Sequence, residues 1–231
     1  MSKRLLVLDV EGTLFETKFK IPGTDLDLTV WQAIAVMLGP GAVSEEVESH
    51  RKWQTGKYPS YIDWMKDTIK IHKRHGLSKS VFDQIVASAG YNEGVVETFA
   101  EIDRDLFEPV LVTGGFADLA IRANRDLGIA HTFAACEYFF DAKGKLSAFN
   151  LLPCDFEGKL DFIRLMLREY GLSDRDWVFV GDGGNDVPIA KMAPVAIGYR
   201  PHPKLREVVH HTVFHFKEVL AILTKIPQYA K

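Results

Sequence analysis

Short uninterrupted apolar runs punctuate this chain, separated by longer stretches in which apolar positions recur every three or four residues. Leu5–Leu8 is the first run and stops at Asp9. Val110–Val112 follows Pro109 and ends in Thr113-Gly114-Gly115. Trp177–Val180 ends in Gly181-Asp182-Gly183-Gly184-Asn185-Asp186, and Val195–Ile197 stops at Gly198. Such runs, bounded by turn residues, are the pattern of strands covered on both faces. Between them, Ala117–Leu127 predicts a helix with Leu119, Ile121 and Leu127 apolar and Gly128 just beyond its end. Leu160–Tyr170 predicts another, with Ile163, Met166 and Leu167 on one face and Gly171 as the stop signal. Strands alternating with helices imply parallel pairing through right-handed crossovers, hence a doubly wound, mainly parallel α/β sheet. Phe133–Phe140 and Lys145–Phe149 flank Asp141-Ala142-Lys143-Gly144 and read as a β-hairpin.

From Glu16 to Asp105 the alternation breaks. Trp31–Leu38, Ser60–His75 and Ser78–Ala89 all carry helical periodicity. In the last, Phe82, Ile85, Val86 and Ala89 fall at i, i+3, i+4 and i+7, with Ser78 as N-cap. The division expected is a discontinuous core, 1–15 and 106–231, with a helical domain, 16–105, inserted after the first strand.

Composition narrows the classes. The chain has 231 residues, 47% of them apolar and 26% charged, so it can bury a core without a metal or disulfide staple. A formal charge of −3 gives no electrostatic footprint for nucleic acid. The apolar runs fall short of the ~20 residues that a membrane span requires. The apolar segment at the start is too short for a signal peptide and is interrupted by Asp9. A cytoplasmic protein that binds neither membrane nor nucleic acid is therefore expected, with oligomeric state left open. Cys136 and Cys154 have no metal-ligand spacing and read as reduced structural thiols. His210, His211 and His215 read as surface or edge-strand residues, and Trp53, Tyr58, Tyr61 and Trp64 as core aromatics of the helical domain.

The polar signals sit at strand ends, and in an open parallel sheet the carboxyl ends of the strands line the ligand crevice. Asp9, Glu11, Thr113, Asp182 and Asp186 should therefore converge. Carboxylates gathered on one rim repel one another, and a hard cation offsets that repulsion. Mg²⁺ takes one or two carboxylates, keeps waters and recruits phosphate oxygens. Gly114 and Gly115 let backbone N–H groups approach a phosphate ahead of a helix N-terminus, and Lys159 adds a fixed positive charge. Nucleophile, metal, anion pocket and counter-charge are the parts that phosphoryl transfer needs.

These residues carry a resemblance. Asp9-Val10-Glu11-Gly12-Thr13, then Thr113-Gly114-Gly115-Phe116, then Lys159, then Gly181-Asp182-Gly183-Gly184-Asn185-Asp186 stand in the order and spacing of the haloacid dehalogenase superfamily. The chain resembles its phosphoserine phosphatase-like branch, which carries a helical C1-type cap after the first strand. The resemblance implies a Mg²⁺-dependent phosphatase that hydrolyses a small phosphorylated metabolite, phosphoserine foremost, through an aspartyl-phosphate. Asp9 would be the nucleophile, and the Glu11 side chain the acid and base. Mg²⁺ would be held by Asp9, the Glu11 carbonyl and Asp182, with Asp186 in support. Thr113, Gly114, Lys159 and Asn185 would bind the phosphate, and Glu16 and Arg51 are the cap residues nearest the family's substrate-binding pair.

Glu11 departs from the pattern, since most of these phosphatases carry Asp there. The extra methylene moves the carboxyl by up to ~1.5 Å, a scale on which acid–base geometry is sensitive. It raises the expectation that the second half-reaction favours an alcohol acceptor such as homoserine, making the chain a phosphotransferase. A third reading, a non-catalytic sensor of phosphate ligands, is weakened by the intact Asp9, Lys159 and Asp182. Arg51, within Ser49-His50-Arg51-Lys52, also reads as part of a solvated helix face.

Overall fold

The computed structural model describes residues 3–16 and 28–226. In chain order the elements are β1 (Arg4–Leu8), α1 (Val30–Leu38), α2 (Pro40–Gln54), α3 (Tyr61–Arg74), α4 (Lys79–Ser88), α5 (Val95–Glu101), β2 (Phe107–Phe116), α6 (Ala117–Leu127), β3 (His131–Phe140), β4 (Leu146–Leu151), α7 (Gly158–Glu169), β5 (Trp177–Gly181), α8 (Val187–Met192), β6 (Val195–Tyr199), α9 (Pro203–Arg206), β7 (His211–Val213) and α10 (Lys217–Leu223). A 3₁₀ turn, Gly184–Asp186, precedes α8. The chain forms two compact units, Met1–Glu16 with Gly90–Ala134 and Cys154–Lys231, and Thr17–Ala89 with Ala135–Pro153.

The first unit is built on a parallel sheet ordered β2-β1-β5-β6-β7, with the start of β3 outside β2. β1 is central, with Val7 opposite Val110 on one side and Phe179 on the other. All five of its residues are buried, which explains the unbroken apolar run that announces it. α7 packs against β1 and β2, and α6 packs against β2. The α/β class and doubly wound order thus agree with the sequence pattern. β7, at the sheet edge, carries His211, and the His210 ring accepts from Ala196 N–H.

Two local expectations are corrected. β2 does not end at Thr113: Gly114, Gly115 and Phe116 continue it, and α6 follows directly. The glycines therefore lie on extended backbone at the strand's carboxyl end. The segment 90–105 falls in the first unit rather than in the helical one. Phe99 on α5 is buried and stacks on Phe216 at 6.4 Å, so α5 is held by α10.

The second unit contains α1–α4 and the β3–β4 hairpin from Ala135 onward. Sequence separation hides this membership. Leu146 N–H donates to Leu77 O, Lys79 N–H to Gly144 O, and Lys73 Nζ to Ser147 O. Tyr138 supplies the apolar anchor, packing on Phe82 and bonding its hydroxyl to His72 Nδ1 at 2.8 Å. The helices start where capping chemistry allows. Thr29 and Gln32 form a capping box, and Ser60 and Ser78 cap α3 and α4. α2 was not expected, because its periodicity is weak, but Pro40 at its first position suits a helix start.

Candidate active site

The site is assembled at the carboxyl ends of β1, β2 and β5, within the first unit. Asp9 directly follows β1 and is anchored by its own N–H, which donates to Val180 O at 3.0 Å. The chain then turns sharply. Gly12 adopts φ +88°, and the N–H groups of Leu14 and Phe15 both donate to Val10 O. A side chain at Gly12 would place its Cβ 2.2 Å from Asp182 Oδ2, so this turn passes too close to β5 for anything larger. Thr13 closes the gap, its hydroxyl donating to Asp182 Oδ1 at 2.8 Å.

Lys159, at the start of α7, is wholly buried. Its ammonium donates to Asp9 Oδ1 at 2.8 Å and to Asp186 Oδ1 at 2.7 Å, and lies 4.0 Å from Asp155 Oδ1. Asp186 is in turn oriented by Gly183 N–H at 3.1 Å. One carboxylate oxygen from each of Asp9, Asp182 and Asp186 falls within 4.8 Å of the others. Three buried or half-buried carboxyls, those of Asp9, Asp155 and Asp186, thus share one ammonium, with the Asp182 carboxyl beside them.

The electrostatics follow from that imbalance. Burial pushes Asp9 up to about 7, with Lys159 opposing the shift and Asp186 adding to it. Asp182 is raised well above the carboxylate range by burial, and then by the charges of Asp9 and Asp186. Burial alone would lower Lys159, but Asp186, Asp9 and Asp155 together hold it well above its ordinary value and keep it charged. Three converging carboxylates with surplus negative charge and oxygen donors only are the donor set of a hard dication. The residues present therefore fit Mg²⁺.

Across the site, Thr113 is buried and its hydroxyl accepts from Gly115 N–H at 3.1 Å. Glu11 is brought beside it: a Cβ on Gly115 would lie 3.4 Å from Glu11 Oε2 and 3.3 Å from Thr113 Oγ1. Gly114 faces Asp155, whose carboxyl would be 2.4 Å from a Cβ there. Asn185 does not stand free, since its amide donates to Asp155 Oδ1 at 2.7 Å. Asp9, Glu11, Thr113, Gly114, Lys159, Asp182, Asn185 and Asp186 are thus gathered into one locality. Glu16 is not seen among them. Glu16 is exposed at the end of the turn, its N–H bonded to Gly90 O. Arg51 lies on α2 of the second unit, in an exposed bidentate pair with Glu48.

Two members escaped sequence reasoning. Asp155 precedes α7 by one turn, and burial raises its carboxyl above the usual range. Its spacing of four from Lys159 was the available signal. Asn92 is buried, and its amide donates to both Gly12 O (2.9 Å) and Thr13 O (3.0 Å), pinning the turn after Asp9. No local pattern marks it. Cys154 is buried and its thiol is pushed up to about 12, so it is inert, and Cys136 is likewise buried and outside any disulfide.

Known proteins resemble this chain in sequence and in fold. The chain is 26% identical to the phosphoserine phosphatase of Streptococcus thermophilus, over 88% of this chain and 87% of that enzyme. It is 25% identical to that of Lactococcus lactis, over 95% and 98%. It covers only 46% of the Haemophilus influenzae phosphoserine phosphatase, at 24% identity. Among solved structures, a phospho-aspartyl intermediate analogue of a phosphoserine phosphatase superposes with TM-score 0.76 and 21% identity, over 96% of this chain and 99% of that one. Residues 3–194 match the haloacid dehalogenase-like hydrolase family over most of the chain's length. This chain belongs to the haloacid dehalogenase-like hydrolases.

Proposed function

We propose that the protein is a Mg²⁺-dependent phosphatase of small phosphate monoesters, phosphoserine foremost, working through an aspartyl-phosphate. The observation that carries this reading is the Asp9–Lys159–Asp186 bridge beside Asp182, a buried carboxylate held ready with its counter-charge already in place. The kinship with enzymes named phosphoserine phosphatase supports the substrate class and favours hydrolysis over transfer to an alcohol.

In the proposed reaction an Asp9 carboxylate oxygen bonds to phosphorus as the ester P–O bond breaks. The Glu11 carboxyl gives its proton to the departing alkoxide, and the alcohol leaves. Water then attacks the phosphorus of the aspartyl-phosphate, Glu11 takes its proton, and inorganic phosphate and the Asp9 carboxylate are released. Lys159 and the Thr113 hydroxyl stabilise the phosphoryl oxygens, and the backbone N–H groups around Gly114 and Gly115 add neutral donors. Asp155 and Asn92 touch no reacting atom. They position Asn185 and the turn that carries Glu11. Asp9, the Glu11 carbonyl, Asp182 and Asp186 would hold Mg²⁺, which supplies positive charge against both the carboxylates and the phosphate.

The test is inorganic phosphate release from a panel of small esters that includes phosphoserine, with Mg²⁺ or with EDTA, for wild type and Asp9→Asn. Release that needs Mg²⁺ and vanishes in Asp9→Asn supports the reading. Turnover by Asp9→Asn at the wild-type rate would refute the phosphoenzyme, and silence towards every ester would refute the phosphatase.

A further inference from the structure

Asp155 sits among groups that the phosphate is expected to use. Its Oδ1 accepts from the Asn185 amide at 2.7 Å and from Phe156 N–H at 2.9 Å, and lies 4.0 Å from Lys159 Nζ. Its Oδ2 takes no hydrogen bond among the described residues and faces Gly114, where a Cβ would lie 2.4 Å away. Asn185, Lys159 and Gly114 are three of the groups that the sequence marks as phosphate ligands. Here all three converge on an internal carboxylate.

The placement is specific. The Asp155 side chain is only 8% exposed, yet it stands outside the cluster of Asp9, Asp182 and Asp186 that fits a metal. Burial raises its carboxyl, while Lys159 and the Asn185 amide oppose the shift, so the same two groups favour its charged form. The next residue, Phe156, adopts φ +48°, a conformation that a side chain with a Cβ rarely takes. Strain of this kind persists where the surrounding structure fixes the backbone, and it gathers at functional sites.

Carboxylate and phosphoryl oxygens take the same donors, and an anion already in the pocket repels the next one. Lys159 has three N–H donors. Two are given to Asp9 and Asp186, which leaves one for phosphate, next to Asp155. We propose that Asp155 is an internal competitor of phosphate. It is a positioning residue that occupies Asn185 and a share of the Lys159 charge while the site is empty. A bound phosphoryl group takes over those donors against the Asp155 charge, so inorganic phosphate, the product, is held weakly and leaves readily. The proposal rests on the phosphatase reading. It differs in sign from a purely structural role, in which Asp155 only orients Asn185 and its loss weakens phosphate binding.

The test is titration calorimetry of inorganic phosphate, with Mg²⁺ present, into wild type, Asp155→Asn and Asp155→Ala. Asp155→Asn keeps the volume and one acceptor oxygen but removes the charge, so it carries the test even if Asp155→Ala does not fold. It should bind phosphate about tenfold more tightly than wild type, the scale on which one like charge disfavours another. With p-nitrophenyl phosphate as substrate, the inhibition constant of inorganic phosphate should fall by a similar factor. Phosphate bound by wild type and no more tightly by Asp155→Asn would overturn the proposal and leave the phosphatase reading standing. Phosphate bound by none of the three proteins at millimolar concentration would overturn both.

Discussion

Lys159 Nζ donates to Asp9 Oδ1 at 2.8 Å across 150 positions of sequence, and both side chains are buried. Replacing Lys159 by Met would leave the Asp9 and Asp186 carboxylates facing one another without a cation. Breaking a buried pair in this way costs about 3–5 kcal/mol. Lys159→Met should therefore lose that much in metal-free urea unfolding and recover part of it when Mg²⁺ is added, with phosphate release down at least ~100-fold. Unaltered stability would mean that the ammonium is not the counter-charge described.

Glu11 lies beside Thr113 and Gly115, where it can serve a leaving group. Under the proposed mechanism, Glu11→Gln removes an acid and base worth roughly 10²–10⁴ in rate. With p-nitrophenyl phosphate, whose leaving group needs no proton, only the second step should suffer. A burst of nitrophenol followed by slow turnover is expected, with phosphate retained on the protein. A linear progress curve without a burst would count against the assigned role.

Asn92 holds the carbonyls of Gly12 and Thr13. Asn92→Ala should cost about 1–3 kcal/mol, the penalty for buried carbonyls left unsatisfied. It should also lower kcat more than KM, because the turn carries Glu11, the proposed acid–base group, rather than a proposed substrate contact. An effect confined to KM would show that Asn92 acts on binding instead.

Gly12 leaves no room for a side chain, its Cβ position falling 2.2 Å from Asp182 Oδ2 with φ at +88°. Gly12→Ala should displace Asp182 and weaken Mg²⁺ activation, seen as a higher Mg²⁺ concentration for half-maximal phosphate release. An unchanged Mg²⁺ requirement would separate this turn from the metal site.

His72 in the second unit is buried against Tyr138, and burial, aided by the charge of His75, lowers its pKa from 6.5 to about 3. The unfolded chain therefore binds a proton below about pH 6.5 that the folded chain refuses until about pH 3. Stability should fall as pH drops through that window, by up to about 1.4 kcal/mol per pH unit. His72→Phe should lose about 2 kcal/mol less than wild type between pH 6.5 and 5 in urea unfolding. Parallel pH curves for the two proteins would place His72 in contact with water.

The strand runs were legible because both faces of β1 and β5 are covered, which leaves no polar position to interrupt the pattern. The chemistry was legible for a related reason: strand order alone sends the residues after β1, β2 and β5 to one rim. β2 reads short because Thr113, Gly114 and Gly115 interrupt it before Phe116, and they carry no hydrophobic signal even while extended. α2 reads as coil because its face is mostly polar. The 90–105 segment and the β3–β4 hairpin change units because Phe99 and Tyr138 find partners far away along the chain.

By itself the sequence determined the α/β class, the order of the strands' chemical signals and the motif residues, since these depend on local periodicity and on what must follow a buried strand. Only the tertiary structure decided that Asn92 pins the turn and that Asp155 joins Asn185. Those facts are pairings between distant positions. A polar residue carries no local mark of its eventual partner, because that partner is set by how the elements pack.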